Sequence, residues 1–400
     1  MRWYRDDCPK IATVFGYLVY PEMTEHELRQ VSRFDMLAGG LYFGDTKASR
    51  QKTIDNIKRL HEYNPRIIVL HYNAGVIEAV PNNSYFTPDC FLKDTLGEVI
   101  HGWPGTHMLN LAKPKVQESM AKWIIDSYQG SGADGMFIDC LAGIFDSWSM
   151  IPGAKEKGRA ILPDADEDGK EDSMSILTRQ WTDGKRNIIE IIRNELGNEP
   201  YMLVNSGMEH EFLKPYADGN FFEYIWDHIT VPNGFGRFDF KRILDDCILW
   251  GTTPTGRPNC SYISYSPLFD IDYYTYKRPA AETSRVYMRG FESLRIMRFG
   301  LAMSLLTDIH CSMQLHTRDH GQLWWYQEYD LPIGKPLGAA YEHEDGSWRR
   351  DYENAVVVAN LNYHEIQPHF ERRMRDGTTA LSSRDFDLPA QDGRIYMRLG

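Results

Sequence analysis

The sequence predicts an α/β fold, a TIM (β/α)8 barrel with long βα loops and a small C-terminal antiparallel β appendage. Three features carry that reading. Apolar runs of strand length alternate with segments of helical periodicity over about 300 residues, the span of a barrel with insertions. Several of these runs end in a polar residue, as strands do at the mouth of a parallel barrel. From about residue 320 the alternation gives way to short strand-like runs joined by turn residues. The expected division is a catalytic barrel over 1–320 and a C-terminal β-rich region over 321–400.

Taken in order, residues 11–20 (IATVFGYLVY) are β-branched and aromatic and stop at Pro21, a first strand. Residues 34–43 form a second apolar run closed by Gly44 and Asp45, and 46–63 carry apolar residues at helical spacing. Residues 66–71 (RIIVLH) have the near-continuous apolar character of a buried parallel strand. A long stretch at 74–108 follows; its length marks it as functional or disordered, and its aromatic content argues against disorder. Residues 113–129 read as a helix with Pro114 in its first turn.

That helix leads into residues 133–146. There the turn signal Asp134-Gly135 precedes Met136, Phe137 and Ile138, and Asp139 follows at once. A second excursion runs to about residue 175. Residues 176–196 form an amphipathic helix ending at Gly197, 201–205 (YMLVN) the fifth strand and 220–226 (NFFEYIW) the sixth. A helix at 240–250, a seventh strand at 260–265, a long helix at 285–306 and an eighth strand at 309–311 complete the barrel. Residues 346–351 and 355–360 read as a hairpin through Glu353-Asn354, and 393–397 as a further strand.

Composition narrows the function classes. A net charge of −12 and the absence of a basic run argue against nucleic acid, which needs a cationic face. No segment approaches the roughly 20 apolar residues of a membrane span. The expected location is cytoplasmic as the chain stands, or secreted or periplasmic if a signal peptide was removed. Cys8, Cys90, Cys140, Cys247, Cys260 and Cys311 show no C-x-x-C spacing, so they read as reduced thiols. The sequence is silent on oligomeric state.

Asp139 is the first catalytic candidate, because burying a charge is costly and a carboxylate at the end of a buried strand is paired or at work. The bland reading is a cap or an Arg partner. Glu223 repeats the pattern at the sixth strand, between Phe222 and Tyr224. Even-numbered strands share one side of a barrel, so the two carboxyls can oppose each other. Glycoside cleavage needs that pair: one protonates the leaving oxygen, the other attacks the anomeric carbon or activates water. The apolar setting of Glu223 favours the acid role and leaves Asp139 as nucleophile or base; a buried ion pair is its alternative. His71, Tyr72, Asn205, Tyr265 and Asp308 at other strand ends are candidate substrate-binding groups, with Trp103, Trp148 and Trp226 as candidate stacking rings; hydrogen-bonding and packing roles compete for each.

Asp164, Asp166, Asp168 and Asp172 around Gly169 match the first half of a calcium loop, but Ser175 stands where the bidentate Glu belongs. A structural calcium on a partial loop and a solvated acidic loop are both open. No cofactor is required.

A family resemblance adds to this. Residues 132–139 (GADGMFID), Val204-Asn205-Ser206-Gly207, Phe221-Phe222-Glu223, Leu337-Gly338 and the run from Trp348 to Val358 resemble TIM-barrel glycoside hydrolases, the hypothetical glycosyl hydrolase group numbered fifteen above all. The resemblance implies cleavage of an oligo- or polysaccharide by acids after strands four and six, without fixing the linkage. The chain departs from the pattern at Asn354-Ala355, where Asn-Gly is expected. Two other readings stand beside it: a non-catalytic carbohydrate-binding barrel, and a metal-dependent hydrolase or lyase using His71, Asp139, Glu223 and Asp308. The second lacks an H-x-H or H-E-x-x-H cluster.

Overall fold

A computed structural model describes residues 7–14, 19–73, 75–206, 212–223, 240–251, 262–265, 290–313, 323 and 325–399. Along the chain come β1 (Ala12–Val14), α1 (Glu25–Val31), β2 (Met36–Ala38), α2 (Lys47–Tyr63) and β3 (Ile68–Asn73). Next are α3 (Pro114–Tyr128), β4 (Gly135–Ile138), α4 (Ile151–Lys157), α5 (Met174–Leu196), β5 (Tyr201–Val204) and β6 (Gly219–Phe222). Then α6 (Phe240–Gly251), β7 (Tyr262–Tyr265), α7 (Gly290–Thr307) and β8 (His310–Met313) follow. Helix starts obey local chemistry. Thr24 and Glu27 form a capping box at α1, Thr46 and Ser49 one at α2, Pro114 occupies the first turn of α3, and the Ser173 hydroxyl accepts the Ile176 N–H at α5.

The chain divides into two compact units, Met1–Val69 with Phe221–Thr253 and Pro258–Gly400, and Leu70–Asn220 with Pro254–Arg257. In the first, β1 pairs in parallel with β2, β7 with β8, and Phe221 of β6 with Tyr262 of β7. Ile11 bridges Cys311 in parallel, and the Cys311 N–H donates to the Lys10 carbonyl at 2.9 Å. The same unit carries a six-stranded antiparallel sheet of β9 (Tyr341–Glu342), β10 (Trp348–Asp351), β11 (Ala355–Asn360), β12 (His369–Asp376), β13 (Ser382–Asp385) and β14 (Asp392–Arg398). Its order is β9-β10-β11-β14-β12-β13. The expected hairpin is β10–β11, and β14 is the expected further strand. Phe370, Met374, Phe386, Leu388 and Tyr396 build a core on this sheet. Strands β12 and β13 escape a pattern search because β12 shows only Phe370 and Met374 as apolar residues, and its third buried position is the charged Asp376.

In the second unit β3, β4, β5 and the start of β6 pair in parallel, with Tyr72 opposite Phe137, Ile138 opposite Val204 and Val204 opposite Asn220. All four residues of β4 are buried. Helices α3 and α5 pack together, and a side chain at Gly184 of α5 would meet the Leu111 carbonyl at 2.5 Å. Gly135 is tighter still: a Cβ there would lie 2.1 Å from the backbone oxygen and 2.6 Å from the backbone nitrogen of Tyr201. Backbone atoms cannot swing aside, so Gly135→Ala is expected to destabilise by about 3 kcal/mol, read as a lower urea midpoint.

The two long excursions of this unit are ordered and joined. Glu78–Ala79 pairs with His107–Met108, and Lys93–Asp94 with Pro163–Asp164. Lys93 and Lys113 both bind Glu167, at 2.5 and 2.6 Å. No described helix is long and apolar enough to cross a membrane.

Candidate active site

Asp139 follows β4 directly, and three donors fix its carboxylate. The Tyr72 hydroxyl donates to Oδ2 at 2.9 Å; Asn205 Nδ2 and the Cys140 N–H donate to Oδ1 at 2.9 and 2.7 Å. Tyr72 comes from β3 and Asn205 from the residue after β5, the two strands that flank β4. Asn205 also ties the backbone, donating its N–H to the Ile138 carbonyl and accepting from Leu141 at 2.7 Å. Burial pushes the Asp139 carboxyl above the usual Asp range, although all three donors favour its ionised form. Cys140 sits in the left-handed region at φ 60°. A β-carbon is disfavoured there, so this turn stores strain next to the carboxylate, a pattern found at functional sites.

Two more carboxylates share this region. Glu78 Oε2 accepts the Trp103 N–H at 2.9 Å and the Thr106 hydroxyl at 2.7 Å. Burial raises its carboxyl pKa, and the charges of Asp139 and Asp146 add to the rise. Asp146 lies in the loop after Asp139 and pairs with Lys185 of α5 at 2.6 Å, with the two side chains 1% and 0% exposed. Lys185 Nζ also donates to the Ala142 and Ile144 carbonyls at 2.9 and 3.1 Å, so one ammonium holds the whole loop. Burial pushes Asp146 up as well, against the pull of Lys185.

The structure thus brings Tyr72 and Asn205 to Asp139, as its hydrogen-bond donors. His71 stands in β3 opposite Met136 of β4. Trp103 and Trp148 meet, their ring centroids 5.7 Å apart and tilted by 59°. Glu223 is half-buried and directly follows β6. Tyr265 ends β7, while Trp226 lies outside the described residues. Asp308 precedes β8 at its amino end, at φ 61°, and its carboxylate accepts from Arg350 Nη2 at 2.7 Å.

Asp164, Asp166 and Asp172 each bring a carboxylate oxygen within 4.8 Å of the others, whereas Asp168 pairs with Lys170 at 2.8 Å. Among the described residues no other three His, Cys, Asp or Glu side chains converge in this way. Sequence reading missed Glu78, Asp146 and Lys185. Glu78 sits in an irregular stretch, and Lys185 reads as one more charge on a helix; a Lys at a core position of an amphipathic helix was the available signal.

Residues 250–356 match hypothetical glycosyl hydrolase family 15. The segment matching family 15 covers β7, α7 and β8 and includes neither Asp139 nor Glu223. The enzyme class expected from the sequence, a glycosidase, is the class of that family. No curated protein matches the chain. Among solved structures, the noncanonic maltogenic alpha-amylase AmyB from Thermotoga neapolitana is similar over 97% of this chain and 98% of its own, at 12% identity and TM-score 0.52. An alpha-amylase from Lactobacillus plantarum is similar over 98% and 99%, at 10% identity and TM-score 0.50. At these identities the likeness shows the fold alone.

Proposed function

We propose that this chain is a glycoside hydrolase acting on an oligo- or polysaccharide, on a (β/α)8 barrel over 1–320 with a β-rich region over 321–400. Asp139 is the nucleophile or base and Glu223 the general acid. The observation that carries this reading is the Asp139 carboxylate, desolvated at the end of β4 and oriented through both oxygens by Tyr72, Asn205 and the Cys140 N–H. Desolvation makes it more basic, and three donors keep it aimed while it attacks the anomeric carbon or takes a proton from water. The acid delivers its proton to the glycosidic oxygen, so its loss matters only where the leaving group needs that proton.

That asymmetry is the test. Glu223→Gln is expected to lose about 10²- to 10⁴-fold in kcat/KM on an unactivated oligosaccharide and far less on a dinitrophenyl glycoside, whose leaving group departs unprotonated. Equal losses on both substrates would remove Glu223 from the acid role.

A structural calcium is a separate part of the proposal. Asp164, Asp166 and Asp172 supply the oxygen donors that calcium prefers. Their carboxylates already accept the backbone N–H groups of Ala165, Asp168 and Gly169 at 2.7 to 3.2 Å, so the loop is shaped before any ion enters. Calorimetric titration with calcium is expected to give a heat that Asp166→Ala abolishes, with an accompanying rise in unfolding midpoint. Identical thermograms for both proteins would mean that the loop is held by its own N–H bonds.

A further inference from the structure

The excursion after β3 carries a carboxylate that the reaction above does not use. Its first residues cross the Asp139 turn. The Val76 N–H donates to the Asp139 carbonyl at 3.3 Å, and a Cβ on Gly75 would lie 2.8 Å from Cys140 Sγ. Glu78 comes two residues later. Both hydrogen bonds it receives end on Oε2, from Trp103 N and Thr106 Oγ1. Gly102 packs against the same oxygen so closely that a Cβ there would come within 2.2 Å of it. Oε1 receives no hydrogen bond from any described residue. The residue that anchors Oε2 also brings its indole to Trp148, and both rings are half-buried and retain exposed surface.

We propose that Glu78 and the Trp103–Trp148 pair form a sugar subsite beside Asp139, in which the rings stack on a pyranose and Glu78 Oε1 hydrogen-bonds one of its hydroxyls. The inference rests on the glycosidase reading. A pyranose has an apolar C–H face and a rim of hydroxyls, so an aromatic face next to one fixed polar atom is complementary to it. The anchoring of Oε2 selects Oε1 as that atom. Two donors already fill Oε2, so the proton of the neutral acid sits on Oε1, which donates when protonated and accepts when ionised. Burial raises the Glu78 pKa, a shift toward the neutral form that supports the geometry without being needed by it. Holding the carboxylate in advance also lowers the entropy lost on binding.

The test uses the full-length Asp139→Asn protein as a non-turning-over trap. It is titrated with a panel of α- and β-linked gluco-, galacto- and glucosamine oligosaccharides of three to six units. Binding is read by calorimetry and by tryptophan fluorescence, and the tightest member is carried forward. Glu78→Ala and Trp148→Ala are expected to weaken that ligand about tenfold and to reduce the fluorescence change. Glu78→Gln, whose amide still reaches a hydroxyl, weakens it less. On the active background the same changes raise KM and leave kcat within about threefold of the parent. Circular dichroism, together with Trp148→Phe, separates loss of the subsite from loss of the fold.

Unchanged affinity in folded Glu78→Ala and Trp148→Ala overturns the subsite and leaves the glycosidase reading intact. A Glu78→Gln protein with kcat abolished and KM preserved overturns it too, because Glu78 would then carry the chemistry. If no panel member binds the trap or is hydrolysed by the parent, the glycosidase reading falls and takes the subsite with it.

Discussion

Asp139→Asn is expected to lower turnover of an oligosaccharide on the order of 10⁴-fold while leaving sugar affinity in place. The amide preserves shape and can keep the Asn205 and Cys140 N–H bonds on its oxygen, but it is neither a nucleophile nor a base. A protein that binds carbohydrate without cleaving it has no turnover to lose, so the same measurement separates catalysis from binding. The pH profile of the parent carries a second signature. Asp139 acts ionised, and burial raises its pKa above the ordinary 3.8, so activity is lost on acidification at a higher pH than an exposed Asp would give.

Stability moves the other way. The folded state holds the Asp139 proton more tightly than the unfolded chain does. Above both pKa values the desolvated charge therefore costs stability, and below the unfolded value the cost disappears. The Asp139→Asn protein is expected to melt higher than the parent at pH 7, with the gap closing as pH falls through the folded and then the unfolded pKa. A lower midpoint at pH 7 would mean that the three donors stabilise the ionised form by more than burial penalises it.

Lys185→Met is expected to destabilise the protein by about 4 kcal/mol, seen in the urea midpoint. Lys185 and Asp146 are fully enclosed, and all three donors of the ammonium are spent, on Asp146 and on the Ala142 and Ile144 carbonyls. Removing the cation leaves a buried carboxylate and two carbonyls without that donor. Breaking a buried pair costs far more than the intact pair contributes. A second change, Asp146→Leu, removes the stranded charge and should recover a good part of the loss. If Lys185→Met alone melts with the parent, the pair does not hold this loop.

How much of the site the sequence showed depends on the range of the signal. Asp139 was legible because the signal is local, three apolar residues and then an acid. Asn205 was legible in the same way, after the apolar run of β5. What they do together was not, because the bonds from Tyr72 and Asn205 to Asp139 span 67 and 66 residues of chain. Lys185 and Asp146 look like solvent-facing charges in one dimension, since only three-dimensional packing shows that no water reaches them. Strands β12 and β13 hid for a similar reason: β13 is the edge strand and β12 lies next to it, most of their side chains are not buried, and the apolar alternation thins out.

The sequence by itself determined the alternation of strands and helices, the proline in the first turn of α3, the hairpin of β10 and β11, and the acid at the end of β4, because each follows from steric and hydrogen-bonding rules acting over a few residues. Only the tertiary structure decided which groups hold that acid, that Glu78 and Asp146 lie near enough to feel its charge, and that Asp308 is spent on Arg350. Those outcomes follow from strand register and helix packing. Both bring together residues far apart in the chain, and both are fixed by the whole set of contacts at once.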